Sequence, residues 1–122
     1  MKKAFGCLTL LACLTAAAVL VTSNDPPAGY IGSPKRGRQL VATYGCTSCH
    51  EIPGAAPRGM VGPSLAHIAS RSYIAGQIPN ERIEMEEWLE HPRRMKPGTA
   101  MPDVGVTIAD SRDIATYLAS LK

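Results

Sequence analysis

A small all-α domain wrapped in long loops is the fold class this 122-residue sequence predicts, and three observations predict it. Apolar residues recur at helical spacing in separate segments downstream of residue 32, no segment reads as a pair of strands, and prolines and glycines crowd the stretches between the helical segments. No internal repeat is visible.

The first residues stand apart. Met1, Lys2 and Lys3 make a short basic start, and Ala4 to Val21 carries no charge, the layout of an export signal or a membrane anchor. Cleavage near Ala16, Ala17 and Ala18 or after Ser23 would release a soluble domain. Retention would leave an apolar segment at the short end of the roughly 17 to 25 residues that span a bilayer. Leu10, Leu11, Ala12 and Cys13 resemble a bacterial lipobox, in which the cysteine is lipidated. All three fates place the domain on the periplasmic side of the cytoplasmic membrane with the two lysines inside. The expected organisation is a signal peptide or anchor at 1–23, a flexible linker at 24–32 carrying Pro26, Pro27, Gly29 and Gly32, and one domain at 33–122.

Ser33 followed by Pro34 predicts a helix start, with serine as cap and proline where its missing N–H costs nothing. That helix runs to about Tyr44 with Gly37, Leu40, Val41 and Tyr44 on one face. A glycine inside a helix is unfavourable by about 1 kcal/mol relative to alanine, so Gly37 points to a close backbone crossing. Residues 51–63 hold Pro53, Gly54, Pro57, Gly59, Gly62 and Pro63 and read as a loop. Ser64 to Ser70 predicts a short helix. A charged helix is expected from Glu81 to Glu90, capped by Asn80, with Ile83, Trp88 and Leu89 inward, and Pro92 ends it. Residues 92–106 read as irregular. Thr107 and Asp110 have capping-box spacing, and the last helix should reach about Leu121 with Ile114, Tyr117, Leu118 and Leu121 on one stripe.

Between the first helix and the loop stand Cys46, Thr47, Ser48, Cys49 and His50, the C-x-x-C-H pattern of covalent haem attachment. Two thiols at this spacing can each form a thioether to a haem vinyl group, and the adjacent imidazole is then placed to ligate the iron. A redox dithiol or half of a zinc site would use the same C-x-x-C. Against zinc, the chain after residue 50 offers no cysteine and only His67 and His91, too far apart for a paired-ligand spacing. Against the dithiol, no thioredoxin-like strand and helix pattern surrounds the motif. Cys7 and Cys13 lie in the apolar segment, so four cysteines do not imply a disulfide framework.

Composition agrees with a cofactor at the centre. With one Trp and no Phe, the chain's single Phe being Phe5 of the apolar segment, the domain has little apolar area of its own, and small scaffolds need a staple, which a covalently held macrocycle can supply. Of the 13 basic residues, the 11 left when Lys2 and Lys3 are set aside nearly balance the 10 acidic ones, so nothing points to nucleic acid. Two local basic groups, Lys35, Arg36 and Arg38 and then Arg93, Arg94 and Lys96, read either as solvated surface or as docking patches.

The chain from Ser33 to Lys122 resembles the class I cytochromes c. The resemblance rests on C-x-x-C-H, on Gly62, Pro63 and Leu65, on a late Met101-Pro102 pair, and on a terminal helix with Ile114, Tyr117 and Leu118, all in the family's order. The stretch with Ala69, Ser70, Arg71, Ile74, Ala75, Gly76, Pro79, Asn80, Trp88, Leu89, Lys96, Pro97, Gly98, Met101 and Pro102 looks most like the cytochrome domain fused to subunit II of some bacterial haem-copper oxidases. The resemblance implies crossing N- and C-terminal helices with loops wrapped around one covalent haem c. It implies His50 and Met101 as the two iron ligands, with Met60, Met85 and Met95 as rivals for the second position and His67 and His91 as remoter ones. It also implies a hydrogen bond from His50 to the Pro63 carbonyl, and Arg71, Tyr73 and Trp88 near the haem propionates. Val41 departs from the family, which commonly has an aromatic residue at that helix crossing.

The function so implied is outer-sphere transfer of single electrons, with no small-molecule substrate and no catalytic residue. The expected partners are a quinol-oxidising complex as donor and a terminal oxidase as acceptor, with membrane association through the N-terminal segment. The competing reading is a ligand-binding or peroxidase-type haem protein whose sixth iron position is easily vacated.

Overall fold

The computed structural model describes residues 27–122. The signal-or-anchor reading of residues 1–23 and the beginning of the 24–32 stretch lie outside them. Among the described residues no helix is long and apolar enough to cross a membrane.

Helix α1 spans Pro34–Thr43, with the Ser33 hydroxyl accepting from the Arg36 N–H and Pro34 in the first turn. It buries Gly37, Leu40 and Val41 against the last helix, α4 (Ile108–Leu118), and the crossing is close. A Cβ at Gly37 would overlap the Asp113 carbonyl oxygen and stand 2.8 Å from the Tyr117 Cβ. The glycine is what lets the two backbones meet. On α4 the Thr107 hydroxyl accepts from the Asp110 N–H, as the capping spacing predicts, and Ile114, Tyr117 and Leu118 are buried. The helix stops at Leu118, short of Leu121, whose carbonyl accepts from Ala69 N–H instead.

Polar side chains fasten the same crossing. Arg36 reaches Asp113 at 2.6 Å and Asp110 at 2.7 Å, and the Tyr44 hydroxyl donates to the other Asp110 oxygen at 2.6 Å. The tyrosine hydrogen bond, more than the arginine, holds the Asp110 carboxyl below the usual carboxylate range, and the same bond pushes the Tyr44 phenol up. The described part of the 24–32 stretch joins in. Tyr30 packs on the core, Gly32 N–H donates to Thr116 Oγ1 at 3.0 Å, and Ser33 N–H donates to Asp113 Oδ1 at 2.7 Å.

Between α1 and α4 the chain departs from the sequence reading in four places. The expected helix at 64–70 is only a 3-10 turn, Ile68–Ser70. His67 stands before it with φ 57, a left-handed conformation that interrupts a helix, and the Arg71 guanidinium takes the Ser64 and Ala66 carbonyls. A strand pair exists where none was expected: β1 (Tyr73–Ile74) runs antiparallel to β2 (Ile78–Pro79), Ile74 opposite Ile78. Two residues per strand are too few to display alternation. Helix α2 spans Arg82–Glu90 with Glu81 at the cap position and no side-chain cap bond, because the Asn80 amide is committed to the Ile68 and Arg71 carbonyls, each at 2.8 Å. Its buried stripe is Met85, Trp88 and Leu89, and Ile83 points outward, 60% exposed. Last, Pro92 ends α2 and also opens a further short helix, α3 (Pro92–Met95), inside the stretch expected to be irregular; proline at a first helical position explains both.

Candidate functional site

The core is hollow. A cavity of about 590 Å³ opens among α1, the C-x-x-C-H turn, the hairpin, α2, α4 and the segment around Met101, within the roughly 300–1,000 Å³ of small-molecule sites. Val41, Leu65, Ile68, Ile74, Met85, Leu89, Ile114 and Leu118 make its apolar wall.

One side is built by the motif. Gly45, with φ 72, turns the chain out of α1, and a 3-10 turn, Cys46–Ser48, follows. Cys49 and His50 N–H both donate to the Cys46 carbonyl, at 3.2 and 2.9 Å. Two thiols and an imidazole are thereby gathered on one tight turn. The loop that follows is laid against it by Gly59 N–H to Thr47 O at 2.9 Å and Gly62 N–H to Cys49 O at 2.7 Å. Both approaches need glycine: a Cβ at position 59 would be 2.6 Å from the Cys49 nitrogen, and one at position 62 would be 2.5 Å from His50 Cε1. The next residue completes the setting, since His50 Nδ1 lies 2.7 Å from the Pro63 carbonyl oxygen. A carbonyl can only accept, so Nδ1 carries the hydrogen and Nε2 keeps its lone pair. Burial pushes the Cys46 thiol up, the opposite of what a reactive dithiol needs.

The segment after α3 brings Met101 to the same cavity. Thr99 N–H donates to the Lys96 carbonyl at 3.1 Å across Pro97 and Gly98, the latter with φ 83, a proline-glycine turn of type II character. Met101 N–H then bonds Thr99 Oγ1 at 3.3 Å. The methionine is half-buried and packs on the core.

All eight residues singled out from sequence, Cys46, Cys49, His50, Pro63, Arg71, Tyr73, Trp88 and Met101, line this one cavity. The supporting three differ among themselves: Trp88 is buried, Arg71 is spent on the Ser64 and Ala66 carbonyls at 2.6 and 3.1 Å, and Tyr73 is 59% exposed. Of the rival methionines, Met60 is 93% exposed and Met95 is not on the cavity wall, whereas Met85 is. His67 and His91 are not on the wall either. Among the described residues no three His, Cys, Asp or Glu side chains gather as a metal-binding group. The sequence reading overlooked Tyr44, Thr99 and Lys96, which also line the cavity. Lys96 was grouped with surface charges, yet its ammonium turns inward to the Ala75 carbonyl; its place in Lys-Pro-Gly-Thr just before Met101 was the available signal.

The donor set fits a thioether-linked haem: two thiols, an imidazole whose Nε2 keeps its lone pair and a thioether line one cavity with apolar walls.

Comparison with known proteins agrees. Residues 34–122 match the family model for cytochrome c. The chain is 31% identical over 88 residues to cytochrome c oxidase subunit 2 of Alkalihalophilus pseudofirmus, covering 71% of this chain but 25% of that protein. It thus spans about a quarter of the length of that subunit and of its Bacillus subtilis counterpart. It is also 33% identical to cytochrome c of Kluyveromyces lactis, with 71% and 89% of the two chains covered. The cytochrome c2 of Rhodopila globiformis is 32% identical, with 75% and 95% covered.

Proposed function

Because the chain belongs to the cytochrome c family, we propose that it is a single-haem carrier of electrons between membrane redox complexes, with His50 and Met101 as the axial ligands of the iron. Membership of the family implies a covalently bound haem c and electron transfer through it. When bound, the haem supplies the one-electron Fe(II)/Fe(III) couple. The residues do the rest: Cys46 and Cys49 would hold the macrocycle, the Pro63 carbonyl fixes the His50 ring and raises its basicity, and Met101 would offer a soft sulfur that favours reduced iron and raises the potential.

The observation that carries this reading is the hydrogen bond from His50 Nδ1 to Pro63 O at 2.7 Å, which leaves Nε2 free in the same cavity that Met101 lines. Purified holoprotein should show a covalent c-type spectrum with one haem per chain, and its reduced form should resist carbon monoxide. Met101→Ala should bind it readily and lose potential. A wild-type protein that takes up carbon monoxide as readily as Met101→Ala would overturn the assignment in favour of a ligand-binding haem protein.

Likeness to oxidase subunits supports a terminal oxidase as acceptor and a quinol-oxidising complex as donor. The uncharged run from Ala4 to Val21 behind two lysines supports export to the periplasmic side, with attachment to the membrane through residues 4–22 or a lipidated Cys13. The intact mass of protein taken from its own membranes reads haem, cleavage and lipid together; a mass without haem would overturn the carrier reading, and recovery of the protein from the cytoplasmic fraction alone would overturn export.

A further inference from the structure

Electron transfer as described gives Lys96 no task, yet the residue is built into the cavity. It lines the wall beside Thr99, Ala100 and Met101 and is half-buried. Among the described residues its ammonium makes no ion pair; it donates to the carbonyl of Ala75, a residue 21 positions earlier that also lines the cavity, at 2.7 Å. A partly desolvated cation is unfavourable unless its donors are satisfied, which makes this a charge-assisted bond and a strong one. Among the described residues it is also the only hydrogen bond between the hairpin at 73–79 and the segment 96–102.

Both ends of the bond are stiff. Ala75 has φ 49 and Gly76 φ 83, and Gln77 N–H closes the turn on the Ile74 carbonyl at 3.2 Å. Alanine rarely adopts a left-handed conformation, and such an outlier persists where its surroundings hold it; here the turn presents the carbonyl that Lys96 takes. At the other end Lys96 N–H bonds Pro92 O at 2.9 Å, Thr99 N–H bonds Lys96 O at 3.1 Å, and Met101 N–H bonds Thr99 Oγ1 at 3.3 Å. A short relay of hydrogen bonds thus runs from the lysine to the methionine.

We propose that Lys96 is a positioning residue: its bond to Ala75 latches the hairpin to the methionine segment and holds Met101 at the distal side of the haem. The proposal rests on the assignment of Met101 as ligand. Thioether attachment through Cys46 and Cys49 would hold the motif to the haem, whereas Met101 would depend on protein contacts alone. Losing the latch raises the population in which the sulfur stands away, and any exogenous ligand gains affinity in proportion to that population.

The test uses the haem-loaded full chain as wild type, Lys96→Leu, Lys96→Arg and Met101→Ala, and measures carbon monoxide affinity of the reduced protein and the midpoint potential. Lys96→Leu should gain about tenfold or more in carbon monoxide affinity with a lowered potential, the loss expected when a hydrogen bond to a charged group is removed. Lys96→Arg, which keeps a donor, should stay within about twofold of wild type. The latch is overturned if Lys96→Leu matches wild type while Met101→Ala binds carbon monoxide avidly, as it would if Lys96 were only a surface charge, or if Lys96→Arg gains as much as Lys96→Leu. If wild type and Met101→Ala are alike, the ligand assignment itself falls. Should Lys96→Leu not fold, amide exchange in wild-type protein decides. Gln77, Thr99 and Met101 amides opening together support the latch, and the 96–102 segment opening independently of the hairpin overturns it.

Discussion

Gly37 lies where α1 crosses α4, and a Cβ there would overlap the backbone of Asp113. Neither helix can retreat without uncovering Val41, Ile114 and Tyr117, all buried at the crossing, so Gly37→Ala should destabilise the protein by about 3 kcal/mol, at the upper end of overpacking costs, read from urea unfolding. Gly62→Ala acts on a different object, the His50 ring, whose Cε1 would stand 2.5 Å from the new carbon. Asp110 sets the acid behaviour of the same crossing. Its carboxyl titrates below the ordinary 3.8, first because Tyr44 donates to it. Its contribution is therefore complete above pH 3.8 and is lost as pH falls through the lowered value. The Tyr44 phenol is raised above 10.0 by the same bond, so its contribution is complete below pH 10 and fades as pH rises through the raised value. Asp110→Asn should flatten the acid limb of the stability profile, and Tyr44→Phe the alkaline limb; a profile unchanged in either variant would contradict this.

At the scale of elements, the helix ends written in side-chain chemistry were legible. Ser33 and Thr107 cap α1 and α4 as their spacing says, and Ser33→Ala or Thr107→Ala should each lose about 1 kcal/mol in denaturant titration. What the sequence concealed were choices made by tertiary competition. Asn80 looks like a cap, but two carbonyls 9 and 12 residues away claim its amide. Ile83 looks like core, but three buried residues at i, i+3, i+4 spacing (Met85, Trp88 and Leu89) decide how α2 turns, and a charged stretch left the stripe ambiguous. Met85→Ala should therefore lose about 2–5 kcal/mol, while Ile83→Lys should stay within about 0.5 kcal/mol, compared by thermal melting. The site was more legible than the fold because C-x-x-C-H is local, whereas the inward turn of Lys96 depends on a hairpin 21 residues away.

Across the whole molecule, the hydrophobic residues face a cavity of about 590 Å³ as well as one another. Leu89, Ile114, Leu118 and Trp88 all sit on its wall, so the apolar area that would stabilise the fold is completed only by what fills the cavity. Cys46→Ala with Cys49→Ala, made where haem cannot attach, should therefore give a chain with no cooperative thermal transition and a weak near-ultraviolet dichroism. A sharp melt in that variant would mean that the protein shell suffices. The place where the chain enters has a mechanical meaning. Gly32 and Ser33 are pinned to Thr116 and Asp113, residues of α4 that do not touch the cavity. Tension drawn through anything upstream of Pro27 should therefore meet that seam before it reaches Cys46.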